Sequence, residues 1–383
     1  MRYTIGQLAE IIDGDRGKNY PKQDEFYPQG YCLFLNTGNV TKEGLIFEEN
    51  QFIMKEKDEA LRKGKLKRGD IVYTTRGTVG NAGYYNSSVP YENVRINSGM
   101  VILRSNGEIV DARFLYQILK SEYYRPYFKQ YCTGSAQPQL PIKNFSQIYL
   151  NVPDIKTQHR IADILSVYDN LIENNQKQIK LLEEAAQRIY KEWFVDLRFP
   201  GHENTKIVDG VPEGWSRTNI NEILTFHRGY DLTKNEMKAG RYPVVGSTTV
   251  IGYHNEFKIK GPGIVTGRSG SLGKYQFIWD NFWPHNTSLY ISDYKDHNIF
   301  FVYSLLQTVD FASLNNGGAI PTLNRNVLSN IEVIEPTDEL QEMFAKIAEP
   351  QYQKIKNLEK QNDRLKTARD LLLPKLMSGE VEV

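Results

Sequence analysis

The side chains best suited to chemistry in this chain sit in two kinds of loop, and both kinds suit binding. The first is Thr74-Thr75-Arg76-Gly77-Thr78, matched later by Gly267-Arg268-Ser269-Gly270-Ser271. Each joins an arginine to hydroxyls and glycines. Glycine lets backbone N–H groups approach a phosphate closely, and arginine can grip a phosphate or a guanine edge. The second kind is rich in amides. Thr133 to Gln139 carries Ser135, Gln137 and Gln139 and is followed by Lys143; Asn315 to Asn326 carries Asn316, Thr322, Asn324 and Arg325. Asn and Gln can bond adenine bidentately in the major groove. The candidate DNA-binding residues are therefore Thr74, Thr75, Arg76, Thr78, Ser135, Gln137, Gln139, Lys143, Arg268, Ser269, Ser271, Asn316, Thr322, Asn324 and Arg325. Gly, Asn and Ser also build ordinary turns. One such loop says little, whereas two kinds at matching places in both halves weigh evenly between turn and interface.

Catalytic patterns are missing. The six histidines are scattered without metal-ligand spacing, and neither HExxH nor a GxxxxGK[ST] loop occurs. Pro153-Asp154-Ile155-Lys156 has the outline of a nuclease fragment but reads as the start of a helix. Gly261-Pro262-Gly263 with Gly267 precedes a strand instead of following one, so it is no dinucleotide fingerprint. No Pro-Pro occurs, which removes the Asp/Asn-Pro-Pro-aromatic motif of amino-methyltransferases. No catalytic residue, metal ligand or cofactor site is expected in this chain. The basic run Arg62-Lys63-Gly64-Lys65-Leu66-Lys67-Arg68 suits a DNA backbone or a solvated surface equally. Tyr20, Tyr27, Tyr230 and Tyr253 lie in polar contexts where a ring can stack on a base or serve the fold.

Composition bounds the class. At 383 residues two domains are expected, and 40% apolar with 24% charged residues is ordinary for a globular protein. A net charge of +1 makes no case for nucleic acid by itself. Cys32 and Cys132 are the only cysteines, which fits a reducing, cytoplasmic setting. The start of the chain does not read as a signal peptide, and no run is long and apolar enough for a membrane span.

The loops must be positioned by something, and Thr157 to Asp196 is the strongest element. It lacks Pro and Gly, and heptad steps run through Leu165, Ile172, Ile179, Ala186 and Trp193, and through Ile161, Tyr168, Asn175, Leu182 and Ile189. This is the seam of a coiled coil, and about 40 residues make a rod of roughly 60 Å. Asp338 to Met377 repeats the pattern and offers a partner: Phe344, Gln351, Leu358, Leu365 and Leu372, with Ala348, Ile355, Asn362, Arg369 and Leu376. Antiparallel pairing puts Asn175 opposite Asn362, where a buried pair can set register. Pro350 predicts that the second helix starts or bends near 350, and Pro374 that it ends or kinks near 373.

The halves repeat. Ala136 to Ile148 aligns with Ala319 to Ile331 at an offset of 183 (319 − 136), which holds into both long helices. DIVYTTRGTVG (70–80) aligns with GIVTGRSGSLG (263–273) at 193, and LAEII resembles INEIL. Helix is expected over Ile5 to Ile12 and Asp111 to Tyr131, strands on either side of the Thr74 turn and at Gln147 to Val152, and an Asp154 or Thr157 cap on the long helix. The fold class is α+β: two similar globular domains, two long antiparallel helices, and a pseudo-two-fold internal repeat. Expected boundaries are 1–155 for the first domain, 156–200 for the first spacer helix, 201–337 for linker and second domain, and 338–383 for the second spacer and tail.

At this point the chain resembles the specificity subunit of type I restriction–modification systems over nearly its whole length. The carriers are TQHRIADILSVYDNLIENNQKQIKLLEE, WFVDLRFPGHE, VPEGW, the paired DIVYTTRGTVG and GIVTGRSGSLG, and LLLPKLMSGE. The resemblance implies two target-recognition domains held by antiparallel spacer helices, with no catalysis in this chain. It implies double-stranded DNA with a bipartite site as ligand. It also implies two methyltransferase subunits, which carry S-adenosylmethionine, and two restriction–translocation subunits in the full complex. Two departures stand out: no VPEGW-like lead precedes LAEII, and Pro350 falls early in the second spacer. Base-contacting residues vary in this family, so none is carried over. The alternatives are a stand-alone DNA-modifying enzyme and a coiled-coil adaptor without DNA binding.

Overall fold

A computed structural model describes residues 1–134, 137–268, 273–309 and 331–382. It divides into two units, Met1–Asn175 with Lys360–Val383, and Gln176–Glu359. Both dividing points lie inside the long helices, so each helix supplies one half to each unit.

The first unit contains β1 (Arg2–Thr4), β2 (Ala9–Asp13), β3 (Cys32–Leu35), β4 (Phe52–Ile53), β5 (Ile71–Thr74), β6 (Ala82–Tyr84), β7 (Val94–Ile96), β8 (Met100–Ser105) and β9 (Tyr149–Asn151). Strands β2-β8-β5-β6 form an antiparallel sheet; β4-β3-β7 form a second, in which β3 and β7 are parallel; β1 pairs with β9. Every residue of Ile71–Thr74 is buried because both faces of the first sheet are covered. Ile71, Tyr73, Val101 and Leu103 face Phe114, Leu115 and Ile118 of the helix Ala112–Lys120. The alternate residues Val72, Met100 and Ile102 face Leu33, Leu35, Val94 and Ile96 of the second sheet.

Two helix expectations are corrected here. Only Ile5–Leu8 is helical at the start of the chain; Ala9–Asp13 is strand β2, paired along its length with β8. Ile11 and Ile12 point to the two opposite cores, a division that only an extended chain achieves. Asp111 does start a helix, accepting the amides of Arg113 and Phe114 at 2.9 and 3.0 Å, but it ends at Lys120 and Arg125–Lys129 is a separate turn.

The second unit repeats the plan. Its strands are β10 (Ser216–Asn219), β11 (Thr225–Arg228), β12 (Tyr242–Val245), β13 (Val250–His254), β14 (Gly263–Gly267), β15 (Tyr275–Ile278), β16 (Trp283–Pro284), β17 (Ser288–Asp293) and β18 (Glu332–Glu335). The orders β11-β17-β14-β15 and β13-β12-β16, with β12 and β16 parallel and β10 beside β18, reproduce those of the first unit strand for strand. The helix Ile299–Thr308, capped by Asn298, takes the place of Ala112–Lys120.

The first long helix is Ile155–Tyr190, continued by a π turn over Lys191–Val195; the second is Asp338–Ser378. Asp154 caps the first, accepting the amides of Lys156 and Thr157 at 3.0 and 3.1 Å. Pro350 neither starts the second helix nor does Pro374 end it. Pro350 is exposed, so its ring meets the preceding turn on the solvent side, while Phe344, Ala345, Ala348, Tyr352 and Ile355 are buried around it. That packing outweighs the roughly 3 kcal/mol a mid-helix proline costs.

Within the first unit, Asp169 contacts Arg369 and Asn175 contacts Asn362, so the two helix halves run antiparallel. Within the second, Trp193 and Tyr190 contact Phe344 while Glu183 faces Glu359, again antiparallel. Leu165, Ile172, Asn175, Ile355, Leu358 and Asn362 are buried as the heptad requires; Ile179, Leu182, Ile189, Leu365 and Leu372 are half-buried. Toward the ends the seam moves on by one residue: Tyr190, Phe194, Tyr352 and Leu373 are buried where the strict repeat named Ile189, Trp193, Gln351 and Leu372. A helix of 3.6 residues per turn drifts from a seven-residue repeat, and the π turn adds to the drift.

Asn175 Nδ2 donates to Asn362 Oδ1 at 2.9 Å and to Gln361 Oε1 at 3.2 Å. Both asparagines are 5% exposed. Asn175→Leu alone strands a buried amide and should destabilise the first unit by about 1–3 kcal/mol. The double change Asn175→Leu/Asn362→Leu should recover most of that loss in urea unfolding. Equal losses in the single and double variants would refute a mutual pair.

Candidate DNA interface

In the first unit the two loops meet. The Thr74 turn joins β5 to β6, and its base is fastened internally. Thr74 is fully buried; its hydroxyl accepts the Asn81 amide at 2.9 Å and donates to the Thr78 carbonyl. Thr75, 4% exposed, sends both its amide and its hydroxyl to the Gly99 carbonyl, at 2.9 and 3.1 Å. These two candidates are corrected: their hydroxyls hold the loop and are not free for a ligand. Gly77 and Gly80 have φ of 70° and 99°, a conformation that favours glycine. Arg76 and Thr78 project from this base into solvent.

The amide loop is strapped onto the same edge. Leu140 donates its amide to the Thr75 carbonyl at 2.9 Å, and Thr133 and Gln139 exchange backbone bonds at 2.7 and 2.8 Å. Arg76 and Gln139 are thereby bridged, although 63 residues (139 − 76) separate them. Gln137, Gln139 and Lys143 are exposed, as are Arg76 and Thr78, and of these Gln139 is the one bridged to Arg76; Ser135 lies outside the described residues. Among the described residues neither Arg76 nor Lys143 is in an ion pair. Tyr73 stacked on Phe145 at 4.8 Å packs strand β5 against the short helix Ile142–Ser146 that carries Lys143. An exposed cation beside amides can bond phosphate and base edges together.

In the second unit Arg268 donates its amide to the Thr287 carbonyl at 3.1 Å, as Arg76 does to Gly99. Strand pairing keeps the offset of 193 (267 − 74). Met100 faces Thr74 and Ser288 faces Gly267, so Arg268 stands at the position of Thr75, one residue before that of Arg76. Arg268 is half-buried. Ser269, Ser271, Asn316, Thr322, Asn324 and Arg325 lie outside the described residues.

The remaining candidates divide. Lys65 pairs with Asp58, and Arg68 covers the Tyr85 ring at 4.3 Å while donating to three backbone carbonyls, so these two of the run's five cations serve the protein. Tyr20 packs edge-on to Phe34, and Tyr230 bonds Tyr290 hydroxyl to hydroxyl at 3.0 Å. Burial pushes the Tyr290 hydroxyl upward. Tyr27 and Tyr253 stay exposed.

Sequence reasoning missed one cluster. Asp169 accepts from Lys120 at 3.0 Å, Arg369 at 2.7 Å and Gln117 at 2.6 Å, joining both long helices to the domain of the first unit. Burial works against its charge, but Lys120 and Arg369 outweigh it and hold the carboxyl below the usual range. An arginine at a seam position was the available signal. At the equivalent site of the second unit, Tyr352 stacks with Phe300 and Phe277 and its hydroxyl meets Ser304 at 3.5 Å. One half uses ions where the other uses aromatic rings.

Two copies of one sheet-and-helix unit, the first presenting an edge of exposed polar loop side chains, make a two-module protein. The family model for the type I restriction modification DNA specificity domain matches residues 1–184 and 212–367, so the chain belongs to that family. It is similar to the MjaIX specificity subunit of Methanocaldococcus jannaschii, 25% identical over 359 residues covering 85% of this chain and 81% of that protein. It is also similar to the HindI specificity subunit of Haemophilus influenzae, 24% identical over 465 residues covering 98% and 100%. The S subunit of a type I system from M. genitalium shares the fold, with a TM-score of 0.54, 19% identity and coverage of 98% and 95%. The chain is thus a type I specificity subunit, the non-catalytic component that recognises the DNA target for its complex.

Proposed function

We propose that each unit reads one half of a bipartite duplex target, 1–155 and 201–337 being the recognition domains and 156–200 and 338–383 the spacers. One methyltransferase subunit docks at each pseudo-equivalent half, bringing S-adenosylmethionine to an adenine of that half-site. Two restriction–translocation subunits join in the full complex. The setting is the cytoplasm, consistent with two unpaired cysteines. The observation that carries this reading is exposed Arg76 bridged to Gln139, in the same loop as exposed Gln137, from segments far apart in sequence within one of two units whose main sheets share one strand order.

The test is to express the chain with its methyltransferase subunits and map methylated adenines in host DNA. The expected pattern is a motif of two short specified parts around an unspecified gap, one methylated adenine in each part. A continuous single motif, or no methylation from an assembled complex, would count against it.

A further inference from the structure

Each unit carries an ion pair at the end of one edge strand, and the two pairs run in opposite senses. Asp13 ends β2 opposite Val101 of β8, and Arg228 ends β11 opposite Leu289 of β17. These places are equivalent, because 289 − 101 equals the 188 that separates Met100 from Ser288. The next residue in each unit is a glycine pressed on the turn that leads into β8 or β17. A Cβ on Gly14 would collide with the Asn97 carbonyl, and one on Gly229 with the His285 carbonyl. Two residues further, Arg16 Nη2 lies 3.1 Å from Asp13 Oδ1 and donates to the Ser98 carbonyl at 3.2 Å. Asp231 takes that place in the second unit (231 − 16 = 228 − 13 = 215). It lies 3.8 Å from Arg228 and accepts from Asn286, the equivalent of Ser98 (286 − 98 = 188). Asp13-Gly14-Asp15-Arg16 thus faces Arg228-Gly229-Tyr230-Asp231 with its charges exchanged.

Both pairs lie on the loop edge. β2 and β5 flank β8 and end opposite its neighbouring residues Val101 and Met100, and Gly99, next after Ser98, holds the Arg76 amide at 3.1 Å. In the second unit Arg228 and Gly267 end opposite Leu289 and Ser288.

We propose that Arg16 and Asp231 are specificity-determining residues at equivalent places, Arg16 reading a guanine in the half-site of the first unit and Asp231 the amino group of a cytosine in that of the second. Among the described residues Arg16 bonds only through Nη2, so Nε and Nη1 stay available as donors to guanine O6 and N7. Asp231 is engaged through Oδ1, which leaves Oδ2 to accept from cytosine N4. The two side chains are 43% and 80% exposed. Holding the turn does not account for the exchange of charge, since an exposed ion pair adds little to stability in either sense. The exchange does change what a ligand meets, from donors to an acceptor. A carboxylate turned toward phosphates would be repelled, so its favourable partner on a duplex is a base amino group, with Arg228 offsetting its charge.

This inference rests on the loop edge contacting DNA, and the test separates the two. The chain is assembled with its methyltransferase subunits, and binding is measured on the mapped target duplex and on duplexes with single base-pair changes. Arg16→Ala should lose on the order of tenfold discrimination at one G·C pair of one half-site, and Asp231→Ala at one G·C pair of the other. Asp231→Asn keeps the shape and should admit adenine in place of that cytosine, because Asn bonds adenine bidentately. The exchange Arg228→Asp/Asp231→Arg keeps the ion pair and should turn the preference from cytosine to guanine. Unchanged discrimination in either alanine variant, with Arg76→Ala weakened, would overturn that residue's assignment alone. Relaxation at an A·T pair would do the same, as would a loss of affinity in Arg16→Ala that is uniform across sequences with a shallower salt slope, the mark of a phosphate contact. Unchanged affinity and discrimination in all three alanine variants would overturn the loop-edge reading and the inference with it.

Discussion

Asp169→Ala should lower the stability of the first unit by about 3–5 kcal/mol at neutral pH, because it leaves two buried cations without their partner. Lys120 and Arg369 have side chains 7% and 9% exposed, and both converge on Asp169, itself 19% exposed. Arg369 keeps Asp370 at 3.0 Å; no other carboxylate pairs with Lys120 among the described residues. Domains are stable by only about 5–15 kcal/mol, so the variant should unfold this unit well below the wild-type denaturant midpoint. The pH dependence has a definite sign. The folded carboxyl is held below its unfolded value of about 3.9, so its contribution is complete above that pH and fades as pH falls through the folded value. Wild type and Asp169→Ala should therefore converge in stability in strong acid. Urea unfolding across pH measures this, and a difference under 1 kcal/mol at pH 7 would mean the cluster is dispensable. The second unit shows an apolar solution in the same place, Tyr352 with Ala186 across the seam. Well-packed apolar groups commonly replace a buried ion cluster without loss.

Arg76→Ala should weaken binding of the assembled complex to its target by about 1–3 kcal/mol, roughly five- to 150-fold. Its guanidinium is exposed and projects from a rigid base, so little ordering opposes contact. A phosphate contact predicts that the slope of log affinity against log salt falls by about one with the target sequence unchanged. A base contact predicts relaxed specificity at one position of one half-site. Gln139→Ala should share the same half-site, since its backbone is bridged to Arg76. Binding isotherms at several salt concentrations distinguish the cases, and unchanged affinity and specificity in both variants would remove this edge from the interface.

Much of this was written locally. The offset of 183 joins two long helices that do fold alike, while Ala319 to Asn330 lies outside the described residues, and nine strands of one unit have counterparts in the other. The heptad placed Asn175 opposite Asn362, and they bond. The second helix overrode its own prolines, because a local breaker weighs less than a long buried face. The start of the chain went the other way: LAEII has helical composition, yet pairing with β8 drew Ala9–Asp13 into the sheet.

The site was less readable. Arg76 and the amide loop could each be named, but not that Leu140 and Gln139 strap one to the other, nor that Thr74 and Thr75 turn inward to build the base. Nothing near Asp169 announces Arg369, 200 residues away. The repeat, the two long amphipathic helices, Asn175/Asn362 as a candidate for their register and the kind of side chains the loops offer were legible along the chain, because periodicity and duplication are properties of neighbours in sequence. Tertiary structure alone decided which loop residues face solvent and which ions meet in the seam. Those depend on contacts between distant segments, where burial and hydrogen-bond geometry select among residues that look alike in sequence.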